Sequence, residues 1–418
     1  MNKEILKLFY NERKNIIVSG DMATNKTNGV IFDIVDNIVE KEENILVTDA
    51  KEEYLERYYQ ILKEKNYNII TINFRNPNQS DGWNLFEHAY NLYKQNKTDQ
   101  AIEFLEIIVH NIFKTEKSMD PFWTDMASNL FLGIVLALFD DAKEEEINLS
   151  SVKNLLDSVN FSYGTTDYFS EYLKYKKPAD LIYTYASQVV FTPNDTKDSI
   201  LAVTKQKVSK LFANKGINNL TNKTTYKLDD IINKKTAIFL INKDEDSSLN
   251  YLASIFISEL YYILINNQIG NFNFILDNFD SIGTIDKFSD MLSSSVSRNI
   301  KFTIGTRSIE KLYDTYGDYL KKLTNKIEVR QHEIVISFDK QLITLDNIFK
   351  PKTVNNFEYP ILETKPIEVF DVRKFVLEHK KDTFEELNIE NENISTDELI
   401  MKIDKKIKEL DKQVDNLS

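Results

Sequence analysis

The most constraining feature of the sequence is a turn between an apolar run and an amphipathic stretch near the N-terminus. The run KNIIVSG ends at Gly20, and the stretch VIFDIVDNIVE, which repeats apolar residues at helical spacing, follows soon after Thr27. The turn GDMATNKT between them follows the phosphate-loop pattern G-x-x-x-x-G-K-S/T, except that Asn25 stands at the second glycine. A buried strand, this turn and a helix in succession predict the opening of an α/β domain.

Further short apolar runs indicate a parallel sheet. NILVTD and YNIITINF flank a helical stretch, and the runs TAIFLI, FNFILD and IKFTIG return after residue 235. Strands that alternate with helices in this way predict a parallel sheet covered by helices. Between residues 85 and 190 helical periodicity dominates, as in AIEFLEIIVHNIF and NLFLGIVLALF, and this indicates an all-α insertion.

These patterns divide the chain into five parts. They are the first part of the α/β domain (1–84), the all-α insertion (85–190), the second part of the α/β domain (191–345), an irregular acidic linker (346–394) and a heptad-like C-terminal helix (395–418). In the last part, Ile400, Ile403, Ile407 and Leu410 alternate in steps of three and four, the spacing of a short coiled-coil seam. Such a helix either packs on its own domain or associates with itself or with a partner helix, and the sequence leaves both open.

Composition excludes several classes of site. The chain of 418 residues has no cysteine, which excludes disulfides, cysteine-based zinc sites and thiol catalysis. Its formal net charge is -13, so we do not expect tight nonspecific DNA binding by this chain alone, because such binding rests on neutralising phosphates. The longest apolar run, LFLGIVLALF, is too short to span a bilayer, and no secretory signal is present. We therefore expect a cytoplasmic protein with no membrane span of its own.

The turn near the N-terminus supplies the candidate nucleotide-binding residues Gly20, Thr24, Asn25, Lys26 and Thr27. In a working phosphate loop, backbone N–H groups cradle the phosphates, Lys26 reaches the terminal phosphates and the Thr27 hydroxyl contacts Mg²⁺. Asparagine is among the non-glycine residues that best tolerate positive φ, so Asn25 is compatible with the loop conformation. The alternative is a tight strand-to-helix turn that binds no ligand.

A second motif, FNFILDNFDSIG, supplies candidate catalytic residues. Asp277 ends an apolar strand, the position of the carboxylate that helps to hold Mg²⁺ in many ATPases. Asn278 follows where many ATPases have a glutamate base, and Asp280 is a candidate substitute if the strand continues. Arg298 and Arg307 flank a later strand, and either could meet a γ-phosphate in its own or a neighbouring subunit. The alternatives are an ordinary polar strand end and solvated surface arginines.

Several motifs occur together in a specific order over residues 15–318. VTDAKEEY resembles a tDpKgE segment, NFRNPNQSDGWNLF an S-x-x-WNP turn, DPFWTDMASNLF a dpfW motif, ILDNFDSIG an lDEfaNig segment, and SRNIKFTIGTRSIEKLYDTYG a stretch that usually ends QslsQLeekYG. In this order they resemble the cytoplasmic domain of type IV coupling proteins, the VirD4/TraG-like relatives that drive conjugative DNA transfer.

The resemblance implies a RecA-like P-loop ATPase core that carries an all-α domain and uses ATP and Mg²⁺. It also implies hexameric rings, a membrane anchor, and recognition of relaxosome proteins, other secreted proteins or DNA. This chain departs from the family pattern at three positions that would touch nucleotide or water, with Asn25 for glycine, Asn278 for an acidic residue and Arg307 for glutamine. The transmembrane segments are absent, and closing strands after Tyr316 are hard to find in the sequence.

Three interpretations remain open. The favoured one is a coupling-protein homologue that binds nucleotide, hydrolyses it weakly or not at all, and serves as a substrate-recruiting adaptor or scaffold. The second is an active DNA-translocating motor that a separate membrane protein anchors. The third is a docking module that binds no nucleotide. In each, the expected partners are type IV secretion or relaxosome proteins, with single- or double-stranded DNA and a homo- or hetero-oligomer also open. Recruitment to the inner face of the membrane by a partner fits all three.

Overall fold

The computed structural model describes residues 14–114, 120–159, 162–163, 166–338, 341–347, 357–363 and 366–386. The strands in this part of the chain are β1 (Asn15–Ser19), β2 (Asn44–Thr48), β3 (Asn68–Asn73), β4 (Ser162–Tyr163), β5 (Thr166–Asp167), β6 (Thr236–Ile241), β7 (Phe272–Leu276), β8 (Ile300–Thr306), β9 (Thr324–Val329), β10 (Glu333–Phe338) and β11 (Gln341–Asp346). The six apolar runs that were predicted to be strands all form strands of this set.

Nine of these strands form one sheet in the order β11-β10-β9-β1-β8-β7-β2-β6-β3. Every pairing from β9 through to β3 is parallel, and the β9–β10 and β10–β11 pairings are antiparallel. The α/β prediction is therefore confirmed. Because parallel neighbours end at the same edge, the carboxyl ends of β1, β8, β7 and β2 lie side by side.

The closing strands that were hard to find in the sequence are present. β9 pairs with β1, and β10 and β11 extend the sheet beyond it. The sequence TNKIEV conceals β9 because only every second residue of this strand is buried, and polar residues stand between the apolar ones. It therefore lacks the continuous apolar run by which the other parallel strands were recognised.

Helices fill the connections between the strands. They are α1 (Phe32–Glu40), α2 (Glu53–Glu64), α3 (Glu87–Lys94), α4 (Thr98–Phe113), α5 (Pro121–Asp141), α6 (Leu149–Ser158), α7 (Tyr168–Leu173), α8 (Leu181–Val190), α9 (Asn194–Ala213), α10 (Lys215–Leu220), α11 (Leu228–Asn233), α12 (Tyr251–Asn266), α13 (Phe288–Ser295), α14 (Ile309–Tyr316), α15 (Leu320–Leu323) and α16 (Val372–Glu386).

The helical part is longer than the sequence predicted. Helices continue past residue 190 through α9, α10 and α11, and strands resume only with β6. The prediction missed α9 because charged and polar residues surround a narrow buried stripe that includes Ile200, Leu201 and Val208. The predicted irregular linker, 346–394, likewise contains α16, whose Val376 is buried and whose Phe375 packs edge-on against Tyr172. The predicted helix at 395–418 lies outside the described residues.

Both faces of the sheet are covered. One apolar cluster joins the sheet to the helical part and contains Trp83, Phe131 and Phe256, while a second cluster joins the other face to α1 and α2. In the first cluster, the Trp83 indole N–H donates to the Glu259 carboxylate at 2.8 Å, and burial raises the pKa of Glu259 to about 8. Covered faces leave the carboxyl edge of the sheet as the place where polar side chains gather.

Two helical segments in the described part are long and apolar enough to cross a membrane by length and composition alone. They are Pro121–Asp141 and Ser247–Asn266, and most of each is buried inside the fold. Core helices of a protein of this size meet the same criterion, so these segments are weak evidence for a membrane span.

Candidate nucleotide-binding site

The loop after β1 keeps the shape of a phosphate loop without its second glycine. A short 3₁₀ turn, Met22–Thr24, leads to Asn25, which adopts the left-handed conformation with φ 54° and ψ 35°. Lys26 is then right-handed, and a π-helical turn, Thr27–Ile31, continues directly into α1. Asn25 thus supplies the backbone conformation that glycine adopts most easily, which confirms the expected tolerance for positive φ.

Glycine is required at position 20 because a side chain would not fit there, and not because of its φ angle. A Cβ atom at this position would lie 2.5 Å from the Thr24 hydroxyl oxygen and 2.6 Å from the Val329 carbonyl oxygen. The Thr24 hydroxyl donates to the Asp21 carbonyl at 2.7 Å, and the Asn347 side chain donates to the Thr24 carbonyl at 2.9 Å. The loop is therefore held in place by the Thr24 hydrogen bond within it and by contacts with β9 and Asn347.

Lys26 lies at the wall of a cavity beside the loop. Its side chain is only 6% exposed and lines a cavity of about 270 Å³ together with Asn25 and Thr27. Within the described part of the chain, the Lys26 ammonium group forms no hydrogen bond or ion pair with another residue. Because Lys26 brings a positive charge to the wall of this cavity, the position favours an anionic ligand.

Thr27 and Asp277 meet at the floor of the cavity. The Thr27 hydroxyl donates to Asp277 Oδ2 at 2.6 Å, and Asp277, at the end of β7, is 3% exposed. Gly305 on β8 leaves room for this carboxylate, since a Cβ atom there would lie 2.4 Å from Asp277 Oδ1. A hydroxyl and a carboxylate are ligands that Mg²⁺ accepts alongside water and phosphate oxygens, so the two residues fit a nucleotide-bound Mg²⁺.

The cavity is also lined by residues that are not among the candidate site residues predicted from the sequence. Its charged lining residues are Lys26, Lys51, Arg57, Arg307, Asp49, Glu53, Asp244 and Asp277. The tDpKgE-like segment could have indicated Asp49 and Lys51. No sequence signal marked Tyr54 or Arg57, which the first two turns of α2 contribute to the cavity.

Asp49 adds little fixed negative charge to this cavity. Its carboxylate accepts a hydrogen bond from the Leu55 backbone N–H at 2.8 Å and so caps α2. Burial raises the pKa of Asp49 to about 7, although the hydrogen bonds that it accepts oppose this shift. At neutral pH the Asp49 carboxyl group is therefore protonated part of the time, which reduces its repulsion of a polyphosphate.

The residues after Asp277 do not provide a carboxylate base. Asn278 adopts φ 51° and lines the cavity with an amide side chain. Asp280 was a candidate base only if the strand continued, and this condition is not met, because β7 ends at Leu276 and a 3₁₀ turn, Phe279–Ser281, follows. Asp280 instead accepts hydrogen bonds from the Thr306 hydroxyl at 3.0 Å and the Arg307 backbone N–H at 2.8 Å, and it is not among the residues that line the cavity.

The two candidate arginines lie at opposite ends of β8. Arg307 follows the strand and lines the cavity. Arg298 precedes the strand, where its guanidinium donates to the Ser294 carbonyl at 2.9 Å. A seven-residue strand spans roughly 20 Å, so Arg298 cannot reach the site of its own chain. Contact between Arg298 and a neighbouring subunit stays a prediction.

The parallel sheet and the loop at its carboxyl edge define a P-loop nucleotide-binding fold of the RecA-like type. The family model for conjugative DNA transfer by the type IV secretory system matches residues 7–338. The chain therefore belongs to the conjugative DNA transfer family of type IV secretion, which includes the coupling proteins. No curated protein sequence matches the chain.

Solved structures of a bacterial conjugative coupling protein share the fold. TrwBdeltaN70 in its trigonal form with sulphate matches with a TM-score of 0.60 and 10% identity, over 84% of this chain and 90% of that chain. TrwB in complex with the ATP analogue ADPNP matches with a TM-score of 0.57 and 9% identity, over 84% and 89%. TrwB in complex with ADP and Mg²⁺ matches with a TM-score of 0.52 and 10% identity, over 85% and 86%.

Proposed function

We propose that this chain binds ATP with Mg²⁺ at the loop of residues 20–27, hydrolyses it weakly, and serves as a substrate-recruiting adaptor or scaffold in conjugation or type IV secretion. The observation that carries the proposal is the contrast between Lys26, which keeps its place in an intact loop, and Asn278, which stands where the base belongs. The nucleotide complexes of TrwB support the binding half of the proposal.

In this proposal each part of the loop has a separate task. The backbone N–H groups at the start of the helix cradle phosphate oxygens, and Lys26 neutralises charge on the terminal phosphates. Thr27 and Asp277 would hold a bound Mg²⁺, which supplies charge neutralisation on the phosphates. Arg307 lines the same cavity and adds a further positive charge close to the nucleotide.

The weak hydrolysis follows from Asn278. An amide can orient a water molecule but cannot take its proton. Losing a general base lowers a rate by about two to four orders of magnitude. Of the four carboxylates in the cavity, Asp277 accepts the Thr27 hydroxyl, Asp49 caps α2 and Asp244 pairs with Arg75, so these three already have a structural task. Glu53 is the fourth.

The alternative function is an active DNA-translocating motor, anchored by a separate membrane protein and assembled as a ring. It is favoured by Arg307, because an arginine at the terminal phosphates supports hydrolysis in related phosphoryl-transfer sites. In both versions the proposed partners are relaxosome or other type IV secretion proteins, with DNA as a further ligand and recruitment to the inner face of the membrane.

Equilibrium binding of a fluorescent ATP analogue with Mg²⁺ tests the proposal. We expect Lys26→Ala to weaken binding by about 100-fold, or about 2.7 kcal/mol, because it removes the positive charge that would face the phosphates. Lys63→Ala is the matched control, since Lys63 is an exposed lysine on the neighbouring helix α2.

Three outcomes separate the interpretations. Binding that depends on Lys26, together with slow turnover, supports the adaptor. Fast ATP turnover that Lys26→Ala abolishes contradicts weak hydrolysis and supports the motor. Absence of binding at millimolar nucleotide in the wild type contradicts both and leaves a docking module without nucleotide.

A further inference from the structure

Tyr54 contacts the residue that would help to hold Mg²⁺. Its hydroxyl donates to Asp277 Oδ2 at 2.9 Å, the same oxygen that accepts the Thr27 hydroxyl at 2.6 Å. The other carboxylate oxygen accepts the backbone N–H of Asn278 at 2.8 Å. Donors from three different parts of the chain therefore surround the Asp277 carboxylate.

The Tyr54 side chain is held in this position by its surroundings. It is 2% exposed, its ring packs edge-on against Phe32 at a centroid distance of 5.0 Å, and it stacks beside Tyr58 at 6.5 Å. It belongs to the first turn of α2, whose start is fixed by the Asp49 cap. Rotation of Tyr54 away from Asp277 would disturb this packing.

Tyr54 is a hydrogen-bond donor to Asp277. Its hydroxyl lies 2.9 Å from Asp277 Oδ2, and a carboxylate oxygen only accepts hydrogen bonds, so the Tyr54 hydroxyl is the donor of this pair. Mg²⁺ commonly keeps several water ligands and reaches protein carboxylates partly through them. The Asp277 carboxylate offers about four lone-pair positions, and the donors from Thr27, Asn278 and Tyr54 occupy three of them. The Tyr54 hydroxyl therefore leaves a single position for a water ligand that donates to Asp277.

We propose that Tyr54 is a positioning residue that competes with metal-bound water for Asp277 and so makes nucleotide binding by this chain less dependent on Mg²⁺. This inference rests on the proposed binding of nucleotide at the loop. When no metal is bound, the Tyr54 hydroxyl keeps the Asp277 carboxylate oriented and stabilises its charge by a hydrogen bond. This lowers the gain in nucleotide affinity that Mg²⁺ provides.

The experiment measures how strongly a fluorescent ATP analogue binds in Mg²⁺ and in EDTA, for wild type, Tyr54→Phe and Tyr58→Phe. Tyr58 is the matched control, because it is a buried tyrosine one turn further along α2, and its hydroxyl donates to the Phe32 carbonyl and to Asp36 instead of Asp277. The quantity compared is the ratio of the Kd in EDTA to the Kd in Mg²⁺, which a general loss of structure does not change.

We expect the ratio to rise by about tenfold in Tyr54→Phe, or about 1.4 kcal/mol, and to stay at the wild-type value in Tyr58→Phe. Equal ratios in all three proteins would overturn the inference while the proposed nucleotide binding stands. A rise of the same size in Tyr58→Phe would also overturn it, because the effect would then come from packing of α2. No binding by the wild type in either buffer would overturn the proposed function, and the inference with it.

Discussion

Two asparagines at the carboxyl edge of the sheet share a backbone conformation, but they are expected to affect the nucleotide site differently. Asn25 follows β1 with φ 54°, and Asn278 follows β7 with φ 51°, so both are left-handed. The family pattern has glycine at the first position and an acidic residue at the second. At Asn25 the site needs a backbone conformation, which asparagine supplies. At Asn278 catalysis needs a basic oxygen, which asparagine lacks.

The comparison shows that loss of a motif residue has to be judged by what the site requires of it. A left-handed asparagine is among the least strained alternatives to glycine, so the loop keeps its cradle. An amide in place of a carboxylate keeps size and polarity but loses the ability to accept a proton. We therefore expect the first departure from the family pattern to preserve nucleotide binding and the second to weaken hydrolysis.

The largest effect on ATP turnover is expected from a substitution that restores the missing base. Asn278→Glu is expected to raise ATP turnover by about 100-fold, near the lower end of what a general base contributes. The left-handed backbone is compatible with this change, since Glu52 already adopts φ 63° in this chain. The measurement is steady-state phosphate release at saturating ATP.

Asn278→Gln is the matched control for this prediction, because it adds the same length without a proton acceptor. If Asn278→Glu binds ATP but turns it over no faster than Asn278→Gln, loss of the base does not explain slow hydrolysis. The cause of slow hydrolysis would then lie elsewhere, with Arg307 as the next position to change.

A smaller effect is expected from substitutions that test whether position 25 requires the left-handed backbone conformation. Asn25→Ala is expected to lower the free energy of unfolding by about 1 kcal/mol, because alanine tolerates the left-handed conformation poorly, and to weaken ATP binding. Asn25→Gly is expected to bind ATP at least as tightly as wild type, since it keeps the conformation and removes bulk beside the ligand. Urea unfolding and nucleotide titration of both variants provide the measurements.

Tighter binding by Asn25→Ala than by Asn25→Gly would contradict this reasoning, because it would show that side-chain bulk at position 25 matters more than backbone conformation. Equal loss in both variants would instead indicate that the asparagine amide itself contacts the nucleotide.

The smallest expected effect concerns the arginines at the two ends of β8. Arg307→Ala is expected to weaken ATP binding by about threefold to fivefold, since an exposed charge near the phosphates contributes only about 0.5–1 kcal/mol. Arg298→Ala serves as the control and is expected to leave binding by the isolated chain unchanged, because it lies at the far edge of the sheet. A loss with Arg298→Ala that appears only at high protein concentration would reveal its contact with a neighbouring subunit.

Much of the fold could be read from local patterns. The buried parallel strands appear as short apolar runs, and Gly20, Lys26 and Thr27 mark the loop, because burial on both faces and phosphate-loop geometry each leave a local signature. Local patterns failed where burial is one-sided or narrow. β9 buries alternate residues, and α9 shows a thin apolar stripe among charged residues, so neither produced a clear signal.

The sequence by itself determined the α/β class, the loop and the family to which the chain belongs. Only the tertiary structure decided which side chains meet. Thr27 and Tyr54 bind the same oxygen of Asp277 although they are 250 and 223 residues away from it in the chain. The turn after Leu276 directs Asp280 toward β8, and the length of β8 separates Arg298 from the site. The physical reason is that periodicity reports only on neighbours along the chain, whereas the pairing order of parallel strands brings distant strand ends to one edge.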